Sequence, residues 1–142
     1  MKFNTKVRYG IRAMLEISFA DPNEGILQKD IAVNQEISVK YLDSIISHLK
    51  IAGLITSVSG KKSGYRITRS PDEITMLDIF EAFEPGMMVN ECINQNFDCT
   101  RRKICSVFDF WSGLNVVISD YFKNYTLADM QLNEKMIKAA SS

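Results

Sequence analysis

Apolar and polar positions in the middle of the first half alternate with the period of a helix over residues 38–50. The apolar side recurs at i, i+3, i+4 and i+7 and consists of Leu42, Ile45, Ile46 and Leu49. Ser38 suits the N-cap position, and Gly53 suits the left-handed residue that ends a helix. The pattern predicts an amphipathic helix whose apolar side faces a core and whose other side is short and polar.

A hairpin is predicted directly after this helix. Residues 54–58 and 65–68 are short alternating runs rich in β-branched residues, and they flank a Gly-Lys-Lys-Ser-Gly tip. Glycine lets a backbone approach a phosphate closely, and lysine adds positive charge. A polar helix followed by such a hairpin is typical of a DNA-reading helix with a wing.

The residues before this helix complete a helix-turn-helix. A first helix is predicted to start with Thr5 as its cap and to stop near Asp21-Pro22. A short helix over 28–34 and a turn at Gln35-Glu36 then lead into the helix at Ser38.

The second half begins with a helix and then loses its periodicity. Thr75 and Asp78 resemble a capping box, and Pro85-Gly86 ends the helix that they open. Residues 87–105 have no clear period, which predicts a loop.

After this loop, apolar residues follow a heptad spacing between residues 106 and 124. The heptad positions are Trp111, Leu114, Ile118, Tyr121 and Tyr125. This stripe is wider and more aromatic than a small winged domain needs, so we infer a dimerisation helix; the alternative is a core helix within one subunit. A short capped turn over 126–130 and a flexible tail over 131–142 complete the chain.

The predicted fold class is therefore mainly α: a winged helix-turn-helix with a two-stranded β wing and a long C-terminal dimerisation helix. The predicted units are a DNA-binding domain (1–84), a cysteine-containing loop (85–105), the dimerisation helix with a short final helix (106–130) and the tail. At 142 residues and 46% hydrophobic composition, one core is expected.

Charge separates the two halves although the net charge is zero. Residues 1–69 hold 11 Lys and Arg against 6 Asp and Glu, a balance of +5, and residues 70–142 hold 6 against 11, a balance of −5. Positive charge thus lies with the predicted helix and wing, where phosphates would be met; chance segregation on a solvated surface is the alternative.

Several classes of protein are disfavoured. No signal peptide and no apolar run of membrane-spanning length is present, so we expect a cytoplasmic protein without a membrane partner. The single histidine, His48, lies in the reading helix, where a surface or DNA-facing role is expected. With no nucleotide loop and no Ser/His/Asp arrangement, we do not expect an enzyme.

The three cysteines, Cys92, Cys99 and Cys105, follow a C-x6-C-x5-C spacing. This is neither a zinc-ribbon pair nor a ferredoxin run, and three free thiols are the simplest interpretation. The irregular segment and the basic run at 101–103 favour a metal site, because nearby cations stabilise thiolates and offset the charge of a cluster that they bind.

The order of these features resembles a known family. The anchors are residues 6–9, 37–38, 41–42, 52–54, 57–58, 60, 64–66, 74–75 and 78–79, then three cysteines and Trp111. On these residues the chain resembles the bacterial winged-helix regulators of IscR, NsrR and CymR type, the Rrf-two family.

The resemblance implies a homodimer with crossing long helices that binds double-stranded DNA at an inverted-repeat operator. The helix at 38–50 would enter the major groove and the wing the minor groove. The implied DNA-binding residues are Gln28, Ser38, Val39, Lys40, Tyr41, Asp43, Ser44, Lys61, Lys62, Ser63 and Tyr65. The implied dimer contacts are Trp111, Leu114, Ile118, Tyr121 and Tyr125.

The resemblance also implies an iron-sulfur cluster on Cys92, Cys99 and Cys105, with [2Fe–2S] favoured over [4Fe–4S], that senses iron, redox state or nitric oxide. Positions that supply a fourth ligand in relatives are Phe108 and Arg8 here, and neither can coordinate iron. The fourth ligand is therefore unassigned, with three nearby carboxylates as candidates: Glu91, Asp98 and Asp109.

Two rival hypotheses remain open. A cluster-free regulator of the same family would respond through thiol oxidation or a partner protein. A metal- or thiol-handling protein that uses the winged domain only as an interaction module would show no salt-dependent affinity for DNA.

Overall fold

The computed structural model describes residues 2–59 and 64–142 of the chain. Six helices and one two-stranded sheet are assigned within these ranges. They are α1 (Thr5–Ser18), α2 (Gln28–Gln35), α3 (Val39–Ile51), β1 (Ile55–Ser57), β2 (Tyr65–Ile67), α4 (Met76–Glu81), α5 (Phe108–Asn124) and α6 (Leu127–Ser141). The mainly helical fold with a two-stranded wing agrees with the prediction from sequence.

Helix α1 begins one residue earlier than its predicted cap implies. Asn4, not Thr5, is the N-cap, because its side-chain oxygen accepts a hydrogen bond of 2.8 Å from the Lys6 backbone N–H. The buried face includes Ala13, Met14 and Ile17. Gly10 allows α1 to lie against the Phe83 ring, with which a Cβ at this position would collide.

The turn between α2 and α3 uses an unusual backbone conformation instead of a glycine. Glu36 is left-handed, with φ at 54°, and this residue redirects the chain into α3. Ser38 then caps α3 by accepting a 3.2 Å hydrogen bond from the Tyr41 backbone N–H, as predicted. The predicted apolar side of α3 is buried, and Gly53 is left-handed, with φ at 74°.

The wing is a short antiparallel ladder that pairs Ile55 with Ile67 and Ser57 with Tyr65. The segment before α2 joins it, because Ile26 and Tyr65 exchange backbone hydrogen bonds of 3.0 and 2.8 Å. This extra pairing holds the start of β2 against the segment that precedes α2. The predicted tip residues Lys61, Lys62 and Ser63 lie outside the described residues.

The C-terminal segment differs from the predicted flexible tail. Helix α6 begins at a capping box that Thr126 and Asp129 form, and it extends to Ser141. Its Gln131 side chain donates to the Ser18 hydroxyl at 2.9 Å, and this contact holds α6 against the end of α1. The two residues of this contact are 113 positions apart in the chain, so the local pattern at 131–142 carries no signal for it.

Helix α5 follows the cysteine segment and crosses the surface of the folded unit. It contains no fully buried residue, although Phe122 packs against Phe80 and Phe3 with ring centroids 5.7 and 5.4 Å apart. The capping box of Thr75 and Asp78 opens α4 as predicted. Within the described ranges, no helix has the length and apolar content that crossing a membrane requires.

Candidate nucleic-acid interface and cysteine site

One side of α3 is open to solvent while its other side forms the core. Val39, Lys40 and Asp43 are exposed, as is the cap residue Ser38, and Ser44 is half-buried. The structure thus gathers most of the predicted reading residues at the N-terminal end of one helix. An exposed helix of this width fits the major groove of B-DNA.

Gln28 joins this group through α2. Its side-chain amide donates to the Val39 carbonyl at 3.3 Å and also to the Asp43 carboxylate. The second hydrogen bond orients Asp43, which otherwise presents an unpaired negative charge to an approaching phosphate. The pairing links α2 to α3 at the surface predicted to read DNA.

Tyr41 has a structural partner beside its predicted role. Its ring meets the Tyr9 ring edge-on at 5.6 Å, and the Arg12 guanidinium lies over Tyr9 at 5.2 Å. These residues border a cleft of about 430 Å³ that is lined by Thr5, Tyr9, Glu36, Ile37, Ser38 and Tyr41. Tyr41 therefore connects α1 to the candidate interface.

Tyr65 and His48, two further residues of this region, are half-buried and not fully exposed. Tyr65 is half-buried at the start of β2, with the Lys50 ammonium 5.8 Å from its ring centroid. The His48 ring stacks on Phe83 at 5.4 Å, and its Nδ1 lies 2.7 Å from the Ser44 carbonyl. Against expectation, His48 packs between α3 and the segment after α4.

The three cysteines of the loop lie around one cavity. Cys92, Cys99 and Cys105 line one small cavity of about 20 Å³ together with Arg102, Val107, Phe108 and Trp111. All three are half-buried free thiols. Short 3₁₀ turns at Glu91–Ile93 and Arg102–Ile104 shape the segment, and the Asn90 side chain accepts a 3.0 Å hydrogen bond from the Cys92 N–H.

Arg102 crosses this segment. Its guanidinium donates to the carbonyl oxygens of Cys92 and Asn94 at 2.9 and 2.7 Å, and its central carbon lies 5.5 Å from the Phe108 ring centroid. The sequence marked Arg102 only as one of three neighbouring cations. Nothing in the spacing indicated that its side chain would bridge back to residues 92–94.

Among the described residues, the cysteines and the nearby carboxylates do not form a complete set of metal ligands. Among the residues that the structure describes, no group of three or more His, Cys, Asp or Glu side chains is positioned to hold a metal ion. The candidate carboxylates Glu91, Asp98 and Asp109 are exposed and do not line the cavity, whereas Phe108 does. The cysteines thus share a cavity without being drawn to coordination distance.

The structure divides the predicted dimer contacts between two sides of α5. Trp111 lines the cysteine cavity, and Ile118 lies with Phe3 and Phe80 around another cavity. The exposed apolar stripe of α5, named here the α5 stripe, consists of Val107, Phe110, Val117 and Tyr121, with Leu114 half-buried between them. Phe110, Val117 and Tyr121 are 65%, 66% and 66% exposed.

One contact that sequence reasoning missed ties the loop to the middle of α5. The Asn115 side-chain oxygen accepts a 2.9 Å hydrogen bond from the Val89 backbone N–H. The sequence signal for this contact is limited to Asn115 itself, a polar residue between the apolar residues Leu114 and Val116.

Comparisons with known proteins agree with this arrangement. The Rrf2 family model, described as an iron-dependent transcriptional regulator, matches residues 3–133. Protein rrf2 of Nitratidesulfovibrio vulgaris is 35% identical over 130 residues, covering 92% of this chain and 87% of that protein. The transcriptional regulator IscR of Vibrio parahaemolyticus is 29% identical over 97% of this chain and 82% of its own length.

Solved structures give the same result. CymR of B. subtilis, the global cysteine regulator, superposes with a TM-score of 0.76 and 27% identity over 94% of this chain and 98% of that one. IscR of T. potens superposes with a TM-score of 0.74 and 30% identity over 94% and 88%. The relatives are regulators of transcription and not enzymes, which confirms that expectation. The chain therefore belongs to the Rrf2 family of transcriptional regulators.

Proposed function

We propose that the chain is a homodimeric regulator whose binding to an inverted-repeat operator is controlled by an iron-sulfur cluster held by Cys92, Cys99 and Cys105. The observation that carries the proposal is the convergence of these thiols on one cavity immediately before α5. Thiolates are the usual protein ligands of iron-sulfur clusters.

The α3 surface supports the DNA-binding part of the proposal. Lys40 lies beside the Gln28–Asp43 pair on the exposed side of the helix, so a cation for phosphate and polar groups for base edges are adjacent. Val39 adds an exposed apolar side chain that suits a thymine methyl group. Lys61, Lys62 and Ser63 are proposed to serve the wing.

The α5 stripe supports the dimer. Exposed large apolar side chains on one helix are unusual for a monomer, because each leaves apolar surface in water. A second copy that packs its own α5 stripe against this one removes that surface from water in both copies. Two-fold symmetry would then present two copies of α3 to the two halves of an inverted repeat.

The residues present fit a cluster by donor chemistry. Three thiols line one cavity, and the Arg102 guanidinium on the same cavity would offset the negative charge of thiolate ligation. When bound, the cluster would supply a centre whose state depends on iron, redox conditions or nitric oxide. Because the cavity has a volume of only about 20 Å³, its lining side chains would have to move apart for a cluster of either type to bind.

Contacts between the loop and α5 supply a route for control. Arg102 lies on Phe108, Trp111 lines the cysteine cavity, and Asn115 holds Val89. A changed loop therefore changes contacts at three successive turns of α5. Since α5 would also join the two copies, the spacing of the two α3 helices would follow the state of the loop.

Anaerobic purification followed by iron and sulfide analysis tests the cluster. We expect iron, acid-labile sulfide and visible charge-transfer absorption in the native chain, and their loss in Cys92→Ala. Operator affinity should change between the two proteins while the far-ultraviolet circular dichroism stays the same. Protein that holds neither iron nor sulfide would exclude the cluster.

Two observations favour a cluster-free regulator as the second candidate. The cysteines are not drawn to coordination distance within the described residues, and an oxidised form of Staphylococcus aureus CymR is among the similar structures, with a TM-score of 0.70 and 28% identity over 92% of this chain and 96% of that one. Such a regulator would respond through thiol oxidation or a partner protein. Colourless protein that binds its operator fully, and no longer binds it after mild peroxide treatment, would select this candidate.

A further inference from the structure

We propose that Arg102 is the positioning residue of the cysteine site, which holds the three thiols at one cavity before any ligand binds. This inference rests on the cysteine site of the proposed function but not on the identity of its ligand. It concerns how the chain brings together residues that its sequence separates.

The Arg102 guanidinium donates to two carbonyl oxygens at once. Both bonds come from its terminal nitrogen Nη2, which carries two N–H groups, and they reach the carbonyls of Cys92 and Asn94 at 2.9 and 2.7 Å. These bonds hold the 3₁₀ turn that contains Cys92 against the turn that contains Arg102.

A second contact joins the Arg102 side chain to the start of α5. The guanidinium carbon of Arg102 lies 5.5 Å from the ring centroid of Phe108, the first residue of α5. An arginine plane over an aromatic ring is attracted by the ring electrons. One side chain therefore joins the Cys92 turn to the start of α5, on either side of the cavity that the cysteines line.

The position of Arg102 in the chain makes this linkage specific to the thiols. Arg102 lies between Cys99 and Cys105, so its backbone places it beside two thiols while its side chain retains the third. Without it, the turn at Glu91–Ile93 would keep its packing against α5 but lose the two hydrogen bonds that tie it to the turn at Arg102–Ile104. Arg101, one residue earlier, is exposed and does not line the cavity.

Trivalent arsenic tests this role without a cluster, because arsenous acid condenses with three thiols to give one As(SR)₃ unit and three waters only when the sulfurs converge. Reduced, metal-free protein is titrated with arsenite, and the sulfur-to-arsenic ultraviolet absorption is followed. Arg102→Gln should bind arsenite at least about tenfold more weakly than the native chain, because it removes a charged donor that makes two hydrogen bonds. Arg102→Lys, which keeps the charge but not the planar group over Phe108, should fall between them.

The matched control is Arg101→Gln, which removes the same charge one residue away and should bind arsenite as the native chain does. Far-ultraviolet circular dichroism and urea unfolding establish that every variant is folded. Equal arsenite affinity in Arg102→Gln and Arg101→Gln overturns the positioning role, as does native protein that binds arsenite through fewer than three thiols. Absence of iron from native protein, by contrast, defeats the proposed cluster and leaves this result standing.

Discussion

The α5 stripe leads to a quantitative prediction for Val117→Asp. Val117 is 66% exposed in the single chain. Full burial of a valine side chain contributes about 1.5 kcal/mol, so burial of the exposed two thirds contributes about 1 kcal/mol in each copy. An aspartate at this position also loses hydration at the interface, at a cost of about 1 kcal/mol or more per copy.

Both copies carry the change in a symmetric dimer, so the free energy of association should fall by about 4 kcal/mol. This corresponds to a dimer dissociation constant raised on the order of a thousandfold. Sedimentation equilibrium over a range of protein concentrations measures the constant directly. Operator affinity should fall in parallel, because a monomer presents a single α3.

Lys123→Gln is a charge-matched control on the same helix. It also lowers the net charge by one, and its exposed position lies on another side of α5 from Val117. It should leave the dimer intact. The reasoning is refuted if Val117→Asp sediments as the native dimer with an unchanged constant, or if the native chain is monomeric at micromolar concentration.

Three further changes test other parts of the structure. Leu42→Ala removes a fully buried side chain from the core face of α3 and should lower the free energy of unfolding by about 2–5 kcal/mol in a urea titration; a decrease below about 1 kcal/mol would contradict the packing of α3. Thr75→Ala removes the capping-box hydroxyl of α4 and should cost about 1 kcal/mol, measured in the same way, whereas an unchanged stability would show that the cap is not formed in solution. Lys40→Ala should weaken operator and non-operator DNA alike and reduce the slope of log affinity against log salt by about 1 for each phosphate that Lys40 neutralises, in fluorescence anisotropy titrations; an unchanged slope would remove Lys40 from the interface.

The helix-turn-helix and the base of the wing could be predicted because local rules decide them. The spacing of Leu42, Ile45, Ile46 and Leu49 sets the buried side of α3, and the structure buries all four. Ser38 and Thr75 cap their helices through contacts that span three residues. Asn4 displaced Thr5 as the first cap, since adjacent residues of similar chemistry compete for that role.

The sequence indicates which residues belong to the candidate site, but it does not indicate which other residues they contact. The heptad pattern predicts Trp111 and Ile118 as dimer contacts, and in the single chain both line cavities. Their contact with a second copy stays a prediction. An apolar side chain on a helix has the same periodicity whether it packs on its own subunit or on another. Which side of α5 packs on its own subunit depends on where the cysteine loop and α4 lie.

The sequence by itself determined the local elements, the exposed reading side of α3 and the presence of three thiols in one irregular segment, because hydrophobic period and capping act over a few residues. Only the tertiary structure decided that the thiols share a cavity, that Arg102 bridges it and that α6 extends along the end of α1. Those outcomes depend on side-chain contacts between separate turns and helices, and the local periodicity of the sequence does not record such contacts.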